Sequence, residues 1–108
     1  MIKYTVMYPL TPGSRFDLDY YQSTHLAILI QAVGAAYRGH QISKGVSAGA
    51  PNTEPTYSIL CDVYFDSVAE FENAITPHIA TIRADIPNFT DITPIRQISE
   101  VVVQRTIG

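Results

Sequence analysis

The stretch FDLDYYQSTHLAIL, Phe16 to Leu29, carries a phenol and an imidazole one helical turn apart. Tyr21 and His25 share a face with Leu18, Ile28 and Leu29, the spacing of a helix that buries one side. An imidazole that titrates near neutrality passes a proton in either direction, and a phenol can hold or polarise a substrate oxygen. The same pair also reads as a core histidine satisfied by a backbone carbonyl, with a tyrosine packed beside it. At the level of sequence both readings stand open.

Asp62 is the next candidate, in the middle of TYSILCDVYF. Ser58, Leu60, Asp62 and Tyr64 share one face of that run, and Tyr57, Ile59, Cys61, Val63 and Phe65 share the other. Asp62 could orient an imidazole across a sheet or act as a base, and it could equally pair with Lys3 or Arg96. Glu100 invites the same two readings. Seven tyrosines and no tryptophan give a supply of rings with one polar end, suited to a flat apolar ligand. Tyr8, Tyr20 and Tyr64 are the expected ligand-lining members, although tyrosine is also an ordinary strand residue. A two-histidine, one-carboxylate metal site from His25, His78 and Asp62 is an alternative that no spacing enforces. The expectation is therefore no metal and no cofactor. Cys61 alone reads as a small buried hydrophobe.

These residues need elements to position them, and the pattern supplies six. Ile2 to Tyr8 alternates as a strand and stops at PLTPGS. Asp17 can cap a first helix over Leu18 to Val33, ending at Gly34, with Phe16 stapled onto its first turn. Ala36 to Ser47 is a strand weakened by two glycines, and Ala48 to Pro55 is a loop. Thr56 to Phe65 is the clearest strand. Ser67 and Glu70 have capping-box spacing ahead of a helix whose stripe is Val68, Phe71, Ala74 and Ile75. Pro77 breaks that helix, which restarts with Thr76 as cap and carries Ile79 and Ile82. Ile95 to Val103 is the last strand. Strand, helix, strand, strand, helix, strand is the order of a split βαβ fold, an α+β domain with both helices on one face of a four-stranded antiparallel sheet. The bare face then demands a cover, which a second copy packed sheet to sheet would provide.

Length and composition agree with one domain over residues 1–108. With 46% hydrophobic and 16% charged residues, the chain is apolar for a small monomer, which again favours a symmetric dimer. Its 7 Lys and Arg are scattered singly, so no stripe follows a phosphate backbone and nucleic acid is excluded as a partner. A single cysteine permits no intrachain disulfide and fits a reducing cytoplasm. MIKYTVMYPL lacks the apolar run of a signal peptide, and no 18-residue apolar segment could span a membrane.

MIKYTVMYP, FDLDYYQSTH and YFDSVAEFENAITPHIATIRADIPNFTDITPIRQISEV together resemble the ethyl tert-butyl ether degradation (EthD) family over most of the chain. The resemblance implies a ferredoxin-like protomer that pairs into a dimeric α/β barrel. It also implies a pocket between sheet and helices for a small apolar, aromatic or polyketide-like molecule. Relatives of this architecture include isomerases, cyclases, dehydratases and monooxygenases that work without a metal or organic cofactor, and some barrels of this type bind haem. Tyr20, Tyr21 and His25 carry over from the family pattern. Two positions depart from it: Ala27 stands where relatives often have proline, and Asp62 where they often have histidine.

The function expected from these residues is cofactor-independent proton transfer, or monooxygenase-like oxidation, in a pocket between the first helix and the sheet. His25 would be the acid or base, Tyr21 would position a substrate oxygen, and Asp62 would orient or compensate. The alternative is a non-catalytic protein that binds a hydrophobic metabolite or docks to a monooxygenase.

Overall fold

A computed structural model describes residues 1–107. Strand β1, Ile2–Pro9, is an inner strand of the sheet, and its alternation turns Ile2, Val6 and Tyr8 into the core. Strands β2, His40–Lys44, β3, Tyr57–Phe65, and β4, Ile95–Glu100, complete an antiparallel sheet of order β2-β3-β1-β4. With the two helical arms between β1 and β2 and between β3 and β4, this is the ferredoxin-like βαββαβ order. No helix among the described residues is long and apolar enough to cross a membrane.

The first helical arm is continuous over residues 18–33 but not uniform. Short α1, Leu18–Tyr20, is capped by Asp17, whose carboxylate accepts from the Tyr20 N–H at 3.0 Å. Phe16 staples onto it edge-to-face with Tyr21, 5.2 Å between ring centres. Tyr21–His25 then widens into a π-helical turn, with the Leu26 N–H reaching back to the Tyr21 carbonyl. The arm resumes as α2, Leu26–Val33, and stops at Gly34, whose φ of +55° suits a residue without a Cβ.

The second arm begins at α3, Val68–Ile75, where the Ser67 hydroxyl accepts from the Glu70 N–H at 3.1 Å. Such a cap stabilises a helix by about 1 kcal/mol. Pro77 interrupts the arm as expected, in a 3-10 turn over Thr76–His78, before α4, Ile79–Ala84. Thr76 does not cap the restart: its hydroxyl donates back to the Glu72 carbonyl at 2.6 Å.

Two strands are shorter than their patterns. Residues 34–36 coil into a 3-10 turn, so the second strand is confined to His40–Lys44. The last strand ends at Glu100 rather than Val103. One further bond, Val101 N–H to the Met1 carbonyl, follows it, and Val102 and Val103 extend past the sheet into solvent.

Register decides which side chains meet the helices. Ile2, Tyr4, Val6 and Tyr8 face them from β1, opposite Phe65, Val63, Cys61 and Ile59 of β3. The open face carries three cross-strand rows: Tyr64, Lys3 and Ser99; Gln41, Asp62, Thr5 and Gln97; and Ser43, Leu60, Met7 and Ile95. It is a mixed surface in which one row is mainly apolar and the other two are polar or charged.

Candidate functional site

Tyr21 and His25 are both buried, at 2% and 5% exposure, on the inner side of the π-helical turn. Turns of this kind often mark functional positions in helices. The partner of His25 is not a backbone carbonyl. Its Nδ1 lies 2.8 Å from Oδ2 of Asp85, at the end of α4. The other carboxylate oxygen accepts from the Tyr20 hydroxyl at 2.7 Å and from the Asn88 side-chain amide at 3.0 Å. Tyr21 stacks on one side of the imidazole with ring centres 5.5 Å apart, and Phe89 contacts it at 4.5 Å.

This network fixes the protonation pattern. Burial pulls the His25 pKa below the usual 6.5, outweighing the hydrogen bond and charge of Asp85 that favour the cation. Burial works the other way on Asp85, but hydrogen bonds from Tyr20, Asn88 and His25 prevail and hold its carboxyl below the ordinary value. The Tyr20 phenol, donating to that carboxylate, is raised in turn. Asp85 is therefore an anion that only accepts, and the neutral imidazole must carry its proton on Nδ1. Nε2 is left with a lone pair.

His25 lines a void of about 20 Å³ between the first helical arm and the sheet, together with Tyr8, Tyr21, Cys61 and Arg96. Asp85 is not on its wall, and the Nδ1 side of the ring is taken by that carboxylate. A space of this size admits about one water-sized group. Burial drives the Tyr21 phenol far above its ordinary value, the Tyr8 phenol up to about 12 and the Cys61 thiol up to about 11. At neutral pH these groups keep their protons, and they hydrogen-bond to one another beside the imidazole.

A larger cavity of about 210 Å³ opens between the second helical arm and strands β1 and β4. Phe71, Ile75, Ile79 and Arg83 line it, and it shares Tyr4, Ile82 and Arg96 with the void beside His25. Of these two spaces the larger lies against the second arm, and the water-sized one lies between the first helix and the sheet.

Asp62 falls elsewhere. In register with Thr5 on the open face, it accepts from the Thr5 hydroxyl at 2.5 Å and lies 3.7 Å from the Lys3 ammonium. It cannot orient His25, which sits on the other side of the sheet, and Asp85 holds that position instead. Tyr64 shares the open face with Asp62 and does not line the void. Tyr8 does line it, while Tyr20 touches the site through Asp85. His78, in the turn after α3, is not gathered with His25 and Asp62. No cluster of three or more potential metal ligands occurs among the described residues.

The geometry joins YYQSTH to DIPNF, two segments about sixty residues apart, and the EthD domain model matches residues 14–93, spanning both. The chain belongs to the EthD family. An EthD-like protein from Ralstonia eutropha JMP134 shares 41% identity and superposes with a TM-score of 0.91, covering 97% of this chain and 95% of that one. An EthD family protein from Bacillus halodurans C-125, 18% identical, has the same fold with a TM-score of 0.70 over 94% of this chain and 99% of that one. A candidate monooxygenase from Shewanella loihica PV-4 shares the fold at 12% identity and TM-score 0.59, with 95% of each chain covered. No curated protein matches.

Within this EthD domain, sequence reasoning missed Asp85, Asn88, Phe89 and the inward side of Arg96. One signal was available for Asp85: an acid at the C-terminal end of a helix opposes the helix dipole, so it needs a partner.

The lowered pKa values of both His25 and Asp85 mean that the folded chain binds fewer protons than the unfolded one. Their contribution to stability is complete above pH 6.5. It falls first as pH drops below 6.5, where the unfolded chain's histidine takes a proton that buried His25 refuses, and again below 3.8, where the unfolded aspartate does so before Asp85; each loss is complete once the folded residue protonates as well. Urea unfolding across this range should show the upper step in the native chain and its loss in His25→Asn. An identical step in the variant would assign it to another group.

Proposed function

We propose that this EthD protein catalyses proton transfer on a small apolar or aromatic molecule, with His25 as general base. The observation that carries the reading is the Asp85–His25 pair, which leaves a neutral imidazole with Nε2 unprotonated, on a ring that lines the same space as Tyr8 and Tyr21. The body of the substrate occupies the 210 Å³ cavity, and its reacting end enters the void past Tyr4, Ile82 and Arg96. A cavity of about 150 Å³ accommodates benzene, so this one suits a single substituted ring.

In the step itself, Nε2 takes a proton from a C–H or O–H bond, whose electron pair stays on the substrate as an enolate or phenolate. The protonated Tyr21 phenol donates to the oxygen that gains charge, and Asp85 stabilises the imidazolium. Return of the proton to another carbon gives isomerisation, and attack of the carbanion on a carbonyl of the same molecule, with the proton passed to the new alkoxide, gives cyclisation. Addition of a CH2-derived carbanion to dioxygen gives a peroxide that takes the proton and loses water to leave a ketone, the substrate supplying the electrons, which is the monooxygenase form. Asp85, not Asp62, is the orienting carboxylate.

A second reading follows from the size of the void. If the ligand's reacting end never reaches Nε2, the chain is a binding or accessory protein, and ligand occupies only the outer cavity. We also infer a homodimer through the open sheet face, supported by the apolar row of Leu60, Met7 and Ile95 between polar neighbours. Sedimentation at the mass of one chain at micromolar concentration would exclude it.

With a turnover substrate found by screening substituted monocyclic compounds, His25→Ala should lose about 10²–10⁴-fold in kcat/KM. The native kcat/KM should fall on the acid side with an apparent pKa below 6.5. Full activity in His25→Ala would eliminate the catalytic role, and binding without turnover across the screen would favour the accessory reading.

A further inference from the structure

Arg96 stands where the fold calls for an apolar residue. It is opposite Val6 on the helix-facing side of β4, in a row that continues through Cys61 to Ile42. A half-buried guanidinium on such a surface gives up hydration that only hydrogen bonds or an opposite charge restore. Its protein neighbour is the Tyr4 phenol, whose pKa is raised by burial and drawn back by Arg96. Asp62, the carboxylate nearest in strand register, lies on the opposite face and serves Lys3.

Ion pairs among the described residues are Lys3–Asp62, His25–Asp85 and Arg38–Asp66, so Arg96 has none. Arg83, in the last turn of α4, lines the same 210 Å³ cavity and has none either. Glu72 is the only acidic side chain on the wall. The cavity therefore carries an excess of positive charge in a chain whose net charge is −3. The rest of its wall is apolar, dominated by Phe71, Ile75 and Ile79. A cavity so divided fits one chemical class: a compact apolar ring bearing an anionic oxygen group.

We propose that the 210 Å³ cavity binds a small ring-bearing carboxylate, with the carboxylate on Arg96 and Tyr4 and the ring against Phe71, Ile75 and Ile79. The planar guanidinium offers two parallel N–H donors to the two carboxylate oxygens, and the Tyr4 hydroxyl adds a third donor. Arg83 contributes charge at the mouth. Because Arg96 also lines the void beside His25, the anchored group lies at the junction of the two spaces. This deepens the proton-transfer reading, on which the choice of this cavity for the substrate rests, by naming the class of substrate.

The test compares phenylacetate with its neutral isostere phenylacetamide, each titrated into the full chain by calorimetry. Phenylacetate should bind about tenfold or more tightly than the amide. Arg96→Gln should abolish that preference while leaving amide binding in place, and Arg96→Lys, which keeps the charge, should retain part of it. Arg38→Gln, whose cation is committed to Asp66 at 3.0 Å on the surface, should leave it unchanged. Equal affinity for acid and amide, failure of either to bind, or a preference surviving Arg96→Gln would each overturn the proposal. Competition by inorganic phosphate as effective as phenylacetate would also overturn it, since the ring would then contribute nothing. His25→Ala should keep the preference. An intact preference without His25-dependent turnover would support the site and reject the catalytic reading, whereas His25-dependent turnover with no acid preference would reject this site alone.

Discussion

One hydrogen bond, from His25 Nδ1 to the Asp85 carboxylate, ties the two helical arms of this domain together. It ties the middle of the first helical arm to the turn that follows the second, across the top of the sheet. Around it the loop 85–90 is fastened at several points: Asn88 and Tyr20 donate to Asp85, Phe89 is fully buried against the imidazole, and the Thr90 hydroxyl donates to the Arg15 carbonyl. The pair thus sets packing and protonation together. Remove the carboxylate and the buried imidazole loses both its orientation and the reason for its tautomer.

The rest of the core explains why such an arrangement can be functional. A small apolar domain gains little from burying polar groups, and each needs a partner to offset the water it gives up. Here His25, Tyr8, Tyr21 and Cys61 crowd round a space sized for one water, beside a half-buried arginine. Replacing such groups by apolar side chains of the same shape is often neutral or stabilising. The polar set is concentrated where the two helical arms part and a larger cavity opens, and the open side of the sheet carries its charges in ordinary surface pairs such as Lys3–Asp62.

Much of this was legible in the order of residues, and what was not has identifiable causes. Alternation placed β1 and β3, Asp17 and Ser67 marked helix starts, and Gly34 and Pro77 marked breaks, because each acts within a few residues. The uninterrupted apolar side of β3, with Ile59, Cys61, Val63 and Phe65, already pointed the other side, and Asp62 with it, away from the helices. In β4 the parity was unreadable: Ile95 and Ile98 fall on opposite faces, so nothing local showed Arg96 turning inward. The pairing of Asp85 with His25 depends on how a proline-containing turn returns to a distant helix, and local patterns carry only its shadow, an acid at a helix C-terminus. Nor does helical periodicity announce the π-helical turn that carries Tyr21 and His25, since one inserted backbone position leaves no residue-type signature.

The most direct test of the account is the protonation state of His25, read by long-range proton–nitrogen NMR correlation on labelled protein at neutral pH. A neutral ring with its proton on Nδ1, Nε2 showing the shift of an unprotonated nitrogen and titration below 6.5, is the predicted result. A ring protonated on Nε2, or an imidazolium persisting above neutrality, would contradict the account, because Nε2 could then accept no proton.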